Sequence, residues 1–261
     1  MNIQPLSLWD LSIAASMVLI LAGLNRKTSP KLSRDIVIAA VRLCVQLSLI
    51  ALILKYVFAE RNLLLIGGIG LVMVTLAGRE VKNRLQTGKQ LPHTFWVSSF
   101  SMFVSSYVMC VFCLLAIIQP DPWYHPQYAI PLLGMLLGNT LTGVTLSLNR
   151  LRDGFIAQRD VIENRLMLGE TITQATQSQR QAAMTSALIP TVNSMAAAGI
   201  VSLPGMMTGQ ILAGAEPEMA VRYQILIFLL IAAGTGFGVY LATYFGSKQL
   251  YDQRERLIVL R

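Results

Sequence analysis

Apolar residues gather in seven stretches, from Leu6 to Leu24, Ile36 to Phe58, Leu63 to Ala77, Phe95 to Ile118, Tyr128 to Leu148, Leu188 to Leu212 and Tyr223 to Phe245, and none has an acid in its middle. Each approaches the ~20 residues that a helix needs to cross ~30 Å of hydrocarbon. The pattern therefore predicts an all-α fold, a polytopic transmembrane helix bundle of about seven spans. Composition agrees: 54% of residues are hydrophobic and 13% charged, and the mean hydropathy is +0.57, which excludes an ordinary soluble domain. No Lys or Arg precedes the first stretch, while Arg26, Lys27, Lys31 and Arg34 follow it, so it reads as a retained span rather than a cleaved signal. No linker or low-complexity tract interrupts the chain, and 1–261 is expected to form a single transmembrane domain.

Charge sets the expected orientation, because Lys and Arg near span ends are held on the cytoplasmic side during insertion. Four follow the first span and four the third (Arg79, Lys82, Arg84, Lys89). Five follow the fifth (Arg150, Arg152, Arg159, Arg165, Arg180) and four lie in the tail (Lys248, Arg254, Arg256, Arg261). Only Lys55, Arg61 and Arg222 fall on the other side, which puts the N-terminus outside and the C-terminus in the cytoplasm. The net charge of +8 is thereby explained by topology, without a nucleic-acid partner. Arg42, within the second span, either faces the bundle interior or snorkels to the inner surface, with Asp35 two turns away as its nearest acid.

The later spans carry polar and small residues at membrane depth. Glycines recur four apart at Gly134 and Gly138, Gly205 and Gly209, and Gly234 and Gly238, a spacing that suits close helix approach. In the sixth span Pro204 lacks a backbone N–H and stands beside Gly205, so the helix should kink or break near there. Irregular backbone at that depth must be buried in protein or line a cavity. Asn193, Ser194, Met206, Met207, Thr208 and Gln210 flank the break, and Asn139 lies in the fifth span. They form either a translocation path with oxygen and thioether groups for a partly dehydrated cation, or the satisfied polar groups of a packed, kinked helix. In the fourth span Ser98, Ser101, Ser105, Met109 and Cys113 share one face, and Cys110 sits one turn before Cys113. Met109, Cys110 and Cys113 are a candidate metal contact, against the alternative of ordinary buried cysteines.

Several chemistries are excluded. No carboxylate or His lies at membrane depth, as proton-coupled carriers require, since the thirteen acids are in loops, tails or span edges and His93 and His125 sit at opposite faces. No Ser in a span has a His at its own level, which argues against an intramembrane hydrolase. No phosphate-loop motif is present, so the chain is not an enzyme that hydrolyses ATP by that route. Either flow is passive or another protein drives it.

The loop segment 149–187 bears on that choice. It reads as a helix over about 153–168, broken at Gly169, with Thr171 capping a second helix that runs toward the sixth span. Arg159, Asp160, Glu163 and Arg165 supply a polar face and Val161, Ile162, Leu166 and Met167 an apolar one. This is either a docking lever for a motor protein or a connector lying on the membrane surface.

The run Glu163-Asn-Arg-Leu-Met-Leu-Gly169 resembles the Glu-Ala-Ala-x3-Gly coupling motif of ATP-binding-cassette permeases, with Asn164 and Arg165 in place of the two alanines. The general motif's trailing Ile-x-Leu-Pro is replaced here by Leu188-Ile189-Pro190 at a longer spacing. The segments Ala187-Leu-Ile-Pro-Thr-Val-Asn-Ser-Met195, Gly199-Ile-Val-Ser-Leu-Pro-Gly-Met-Met-Thr-Gly-Gln-Ile-Leu-Ala-Gly214 and Val221-Arg-Tyr-Gln-Ile225 are similar to the signature of the FetB family. These are bacterial iron-export permeases related to plant proteins of aluminium tolerance, and the resemblance covers essentially the whole chain. It implies a multi-pass permease of the bacterial inner membrane that exports iron under iron excess or oxidative stress. It also implies a permease homodimer paired with two copies of a separate ATPase, which binds the ATP and Mg; no cofactor is expected on this chain. Glu163, Arg165, Leu166 and Gly169 would then couple to the ATPase, and a passive metal-ion channel or uniporter is the alternative.

Overall fold

A backbone immersed in hydrocarbon can satisfy its N–H and C=O groups only internally, and among the described residues the apolar stretches are helical except over 198–204 in the sixth. The computed structural model describes residues 7–59, 62–85 and 93–251. Leu6, at the start of the first stretch, and Arg61, Lys89, Arg254, Arg256 and Arg261 of the charge count lie outside them. By internal contacts the chain divides into two compact units.

One unit is built on α1 (Leu8–Thr28) and α2 (Pro30–Ala59), with Leu212–Gly214. Ser7 caps α1 through a reciprocal pair of bonds with Asp10. Pro30 starts α2, where its missing N–H costs nothing. The Ser33 hydroxyl donates to the Ala22 carbonyl at 2.6 Å and ties the two helices together. The most apolar stretch of α2 is unburied, and Arg42 on it is exposed.

The other unit holds α3 (Leu63–Arg84), α4 (Thr94–Met102), α5 (Val108–Cys113), α6 (Pro126–Ala157), α7 (Arg159–Met167), α8 (Ile172–Ala175), α9 (Gln177–Ala197), α10 (Gly205–Leu212) and α11 (Pro217–Lys248). The π-helical turns Phe103–Tyr107 and Leu114–Ile118 continue α4 and α5 into one rod, Thr94–Ile118. That rod, α2, α3, α6 and α11 are each long and apolar enough to cross a membrane.

The centre of this unit is the pair α6 and α11, with α9 and α3 packed on α6. Their backbones approach closely at glycines: a Cβ at Gly143 would stand 2.7 Å from Thr235 Cγ2, one at Gly238 2.5 Å from Thr140 Cγ2, and one at Gly246 2.8 Å from Leu148 Cδ2. Of the glycine pairs expected from spacing, only Gly234 and Gly238 lie in such a seam. Gly138, Gly205 and Gly209 face open space, and Gly134 makes only ordinary contact with Met73.

Two boundaries differ from the sequence expectation. The helix expected over 153–168 is two helices, because α6 runs on to Ala157 and Gln158, at φ −116° and ψ 26°, separates it from α7. The sixth stretch is not one helix: α9 ends at Ala197, well before Pro204, and α10 begins at Gly205.

Candidate functional site

The break in the sixth stretch starts at Gly199, whose φ of +81° is the left-handed conformation that a residue without Cβ adopts freely. The Ala197 carbonyl gathers the N–H groups of Val201 and Ser202 at 2.9 and 3.2 Å, and Gly199 N–H donates to Ser202 O at 2.9 Å, closing a small loop. Pro204 then leads into α10, where Thr208 donates its backbone N–H to Pro204 O at 3.1 Å and its hydroxyl to Gly205 O at 2.9 Å. A helix start leaves its first N–H groups without intrahelical partners. Met207 N–H finds the side-chain Oε1 of Gln224 on α11 at 3.3 Å, whereas Gly205 and Met206 N–H have no hydrogen bond among the described residues.

This break borders a cleft of about 300 Å³. From α6 it is lined by Met135, Asn139, Thr142 and Gly143, and from α9 by Ala187, Pro190, Thr191 and Ser194. Pro204, Gly205 and Met206 come from the break, and Gln224, Ile227, Phe228 and Ile231 from α11. Three of the polar side chains spend a proton on their own helix. Asn139 Nδ2 donates to Met135 O at 2.8 Å, Thr142 Oγ1 to Gly138 O at 3.2 Å, and Ser194 Oγ to Pro190 O at 2.9 Å. What remains to a guest from these three is their oxygen lone pairs and the second Nδ2–H of Asn139, together with the thioether sulfurs of Met135 and Met206.

The structure thus brings Asn139, Ser194, Pro204, Gly205 and Met206 together at one cleft. It leaves out Asn193, exposed on α9, and Met207, which is buried and tied to Gln224. Gln210 is half-buried with an Oε1 that has no partner, and it too lies off the cleft. Met135, Thr142, Thr191 and Gln224 were not anticipated. A signal for the α6 residues exists in the sequence, since Met135, Asn139 and Thr142 recur at helical spacing on one face.

The polar face of the fourth stretch is a packing face. Ser98, Ser101, Ser105 and Cys113 are buried, and Ser98 Oγ donates to Thr94 O at 2.7 Å. Ser106 Oγ donates to Thr140 Oγ1 at 3.0 Å, joining the π turn to α6. Cys110 Sγ lies 3.7 Å from Ala129 O as a donor, beside a small pocket walled by Tyr107, Trp123 and Leu133, and Met109 is half-buried. Among the described residues no three His, Cys, Asp or Glu side chains stand together.

At the other end of α9 the chain turns a corner over 158–176. Gln179 Nε2 donates to Gln158 Oε1 at 2.6 Å, clasping the base of α9 to the end of α6, and the Gln179 stem rests on Gly154. Glu163 pairs with Arg159 at 2.7 Å, one turn apart on α7. Gly169 takes φ +91° at the corner itself, and Thr171 caps α8 through Gln174. Arg165 and Leu166 are half-buried, Ile162 is fully buried, and Met167 and Leu168 stand 78% and 84% exposed at the tip.

A model of the family described as "Uncharacterised protein family (UPF0014)" matches residues 8–251. A UPF0014 membrane protein of Synechocystis sp. is 36% identical over 254 residues, 96% of this chain and 95% of that one. The Probable iron export permease protein FetB of Escherichia coli (strain K12) is 29% identical over 261 residues, 99% of this chain and 98% of that one. Protein ALUMINUM SENSITIVE 3 of Arabidopsis thaliana is 32% identical over 225 residues, 85% of this chain and 80% of that one. No solved structure matches the chain.

Proposed function

The chain belongs to the UPF0014 family of helical, multi-pass membrane proteins, and from that membership and the geometry of α9 we propose that it is the permease subunit of an ATP-driven metal exporter, with iron as its substrate. The observation that carries this reading is α9 itself. Its 21 residues run from the exposed corner at one end to the cleft at the other, a reach of roughly 30 Å at 1.5 Å per residue. A push on the corner is therefore carried along this one helix, past Pro190 in its interior, to the break at Gly199 and Pro204, where Gly205 and Met206 N–H have no hydrogen bond among the described residues.

In this reading a separate ATPase subunit seats against Met167, Leu168 and the α7 surface, and two permeases assemble with two ATPases. ATP and Mg belong to that partner. The corner and C-terminus face the cytoplasm and the N-terminus the outside, in the bacterial inner membrane, as the distribution of Lys and Arg favours. The export direction and the iron come from the Escherichia coli relative's name, and the neutral oxygen and thioether groups of the cleft are compatible with a metal passing through.

The test is ATP-dependent uptake of radioactive iron into inside-out vesicles holding this chain and its cognate ATPase, against an ATPase with a disabled nucleotide site. Uptake that needs both ATP and the intact ATPase is expected. Uptake indifferent to ATP would make the chain a passive channel or uniporter instead.

A further inference from the structure

None of the residues lining the cleft is an Asp, Glu, Lys, Arg or His. A bare divalent or trivalent cation would therefore enter without a counter-charge, into a space walled on one side by Ile227, Phe228 and Ile231. Neutral oxygens at low dielectric replace only part of a multivalent ion's hydration.

The cleft instead offers polar groups of both hydrogen-bonding senses. Asn139, Thr142 and Ser194 each donate one proton to their own helix and offer oxygens, with the second Asn139 Nδ2–H and the Thr191 hydroxyl left as donors, beside the sulfur of Met135. The α10 and α11 residues add donors. Gly205 and Met206 N–H, in the first turn of α10, have no hydrogen bond among the described residues. Gln224 is only 7% exposed, and its Oε1 is committed to Met207 N–H, which fixes the amide so that Nε2 is its free end. No hydrogen bond engages that Nε2 among the described residues, and Gln224 lines the cleft. Unpaired N–H groups at a helix start, with the helix dipole behind them and a buried amide donor alongside, form a seat for an oxyanion.

We propose that the substrate occupies this cleft as a metal cation already bound to an oxyanion ligand. Carboxylate or phosphate oxygens of the ligand sit on Gly205 N–H, Met206 N–H and Gln224 Nε2. The cation faces the oxygens of Asn139 and Ser194 and the Met135 sulfur. The complex brings its own counter-charge, so a neutral cleft suffices. This rests on the metal-export reading and specifies the form in which the metal travels.

The test measures binding of radioactive iron to the full-length chain with its ATPase in lipid nanodiscs, as Fe(II) alone, as Fe(III) with citrate and as Fe(III) with pyrophosphate. At least one complex should bind about tenfold tighter than Fe(II) alone, the worth of one hydrogen bond to a charged group, and the two complexes separate carboxylate from phosphate. Gln224→Glu keeps an acceptor for Met207 N–H but sets a negative charge against the oxyanion. It should weaken the complex by about tenfold and strengthen Fe(II) alone. Fe(II) bound as tightly as both complexes overturns the proposal, a comparison that needs no variant, and so does a folded Gln224→Glu chain that binds the complexes as before. ATP-driven transport of Fe(II) alone, with both complexes ignored, overturns it and leaves the exporter reading standing. Absence of any ATP-driven transport overturns the exporter reading, while the binding comparison still decides the form of the bound metal.

Discussion

The Oε1 of Gln224 accepts the backbone N–H of Met207 at 3.3 Å, so that a side chain of α11 satisfies a donor exposed by the break in the sixth stretch. Each half of that relationship depends on the other. Without the break Met207 would have had a carbonyl in its own helix, and without Gln224 a buried N–H would face apolar side chains.

Gln224→Leu is accordingly predicted to leave Met207 N–H unsatisfied at a cost of about 1–3 kcal/mol. For a chain of this size the melting temperature should fall by about 5 °C. Thermal unfolding in detergent micelles, followed by intrinsic fluorescence, checks it; an unchanged midpoint would mean that the bond contributes nothing.

The seam between α6 and α11 makes a sharper structural prediction. At Gly238 a Cβ would meet Thr140 Cγ2 at 2.5 Å and Ser105 Oγ at 2.8 Å, both on short side chains with little room to swing. Gly238→Val should cost about 1–3 kcal/mol or more through overpacking. Gly138→Ala, where nothing stands within 4 Å, should be tolerated. Monodispersity on size-exclusion chromatography and the melting temperature of the two variants separate these outcomes.

At the corner, the Glu163 side chain is tied among the described residues to Arg159, and both side chains are about two-fifths exposed, so the pair is worth at most about 0.5 kcal/mol. Glu163→Lys is thus expected to leave folding and membrane insertion intact while abolishing ATP-dependent iron transport. Met167→Asp with Leu168→Asp should release the ATPase on affinity co-purification, because those side chains are the exposed apolar tip. Normal transport by Glu163→Lys would remove that residue from coupling.

For the sulfurs the expectation is negative. Cys110 and Cys113 are buried against helix neighbours and lie off the cleft. Cys110→Ala with Cys113→Ala should therefore keep ATP-dependent iron uptake within about twofold of the parent, well under the tenfold that losing a strong contact carries. A loss of uptake in stable protein would bring these thiols into the path.

The clasp between Gln158 and Gln179 invites a double-mutant cycle. Gln158→Leu and Gln179→Leu should each weaken the coupling of ATP hydrolysis to transport, and the pair together should do little more than either alone. Additive effects would mean that the two residues act separately.

Much of this molecule is readable along the chain because its strongest constraint is local. A helix in lipid closes its own hydrogen bonds, so runs such as Ile36 to Phe58 announce themselves by length and hydropathy alone, and Pro204 and Gly169 mark places where a helix cannot continue. Thr171 as a cap, the corner at Gly169 and the break of the sixth stretch before Gly205 are of this kind. Partners across helices are not. That Gly238 packs tightly while Gly138, at the same spacing, faces open space depends on which helix lies opposite, and so does the difference between Asn193, left outside, and Asn139, brought to the cleft. Gln224 carries the same lesson, since its residue type is visible in the sequence but its role comes from the turn of α10 that ends 3.3 Å away. The sequence by itself determined that the chain is helical, that Gly169 and the Pro204 region interrupt it, and the family, but not the interruption at Gln158. Only the tertiary structure decided which polar groups keep their hydrogen bonds within a helix and which are left free to meet a substrate, because that depends on contacts between residues far apart in the chain.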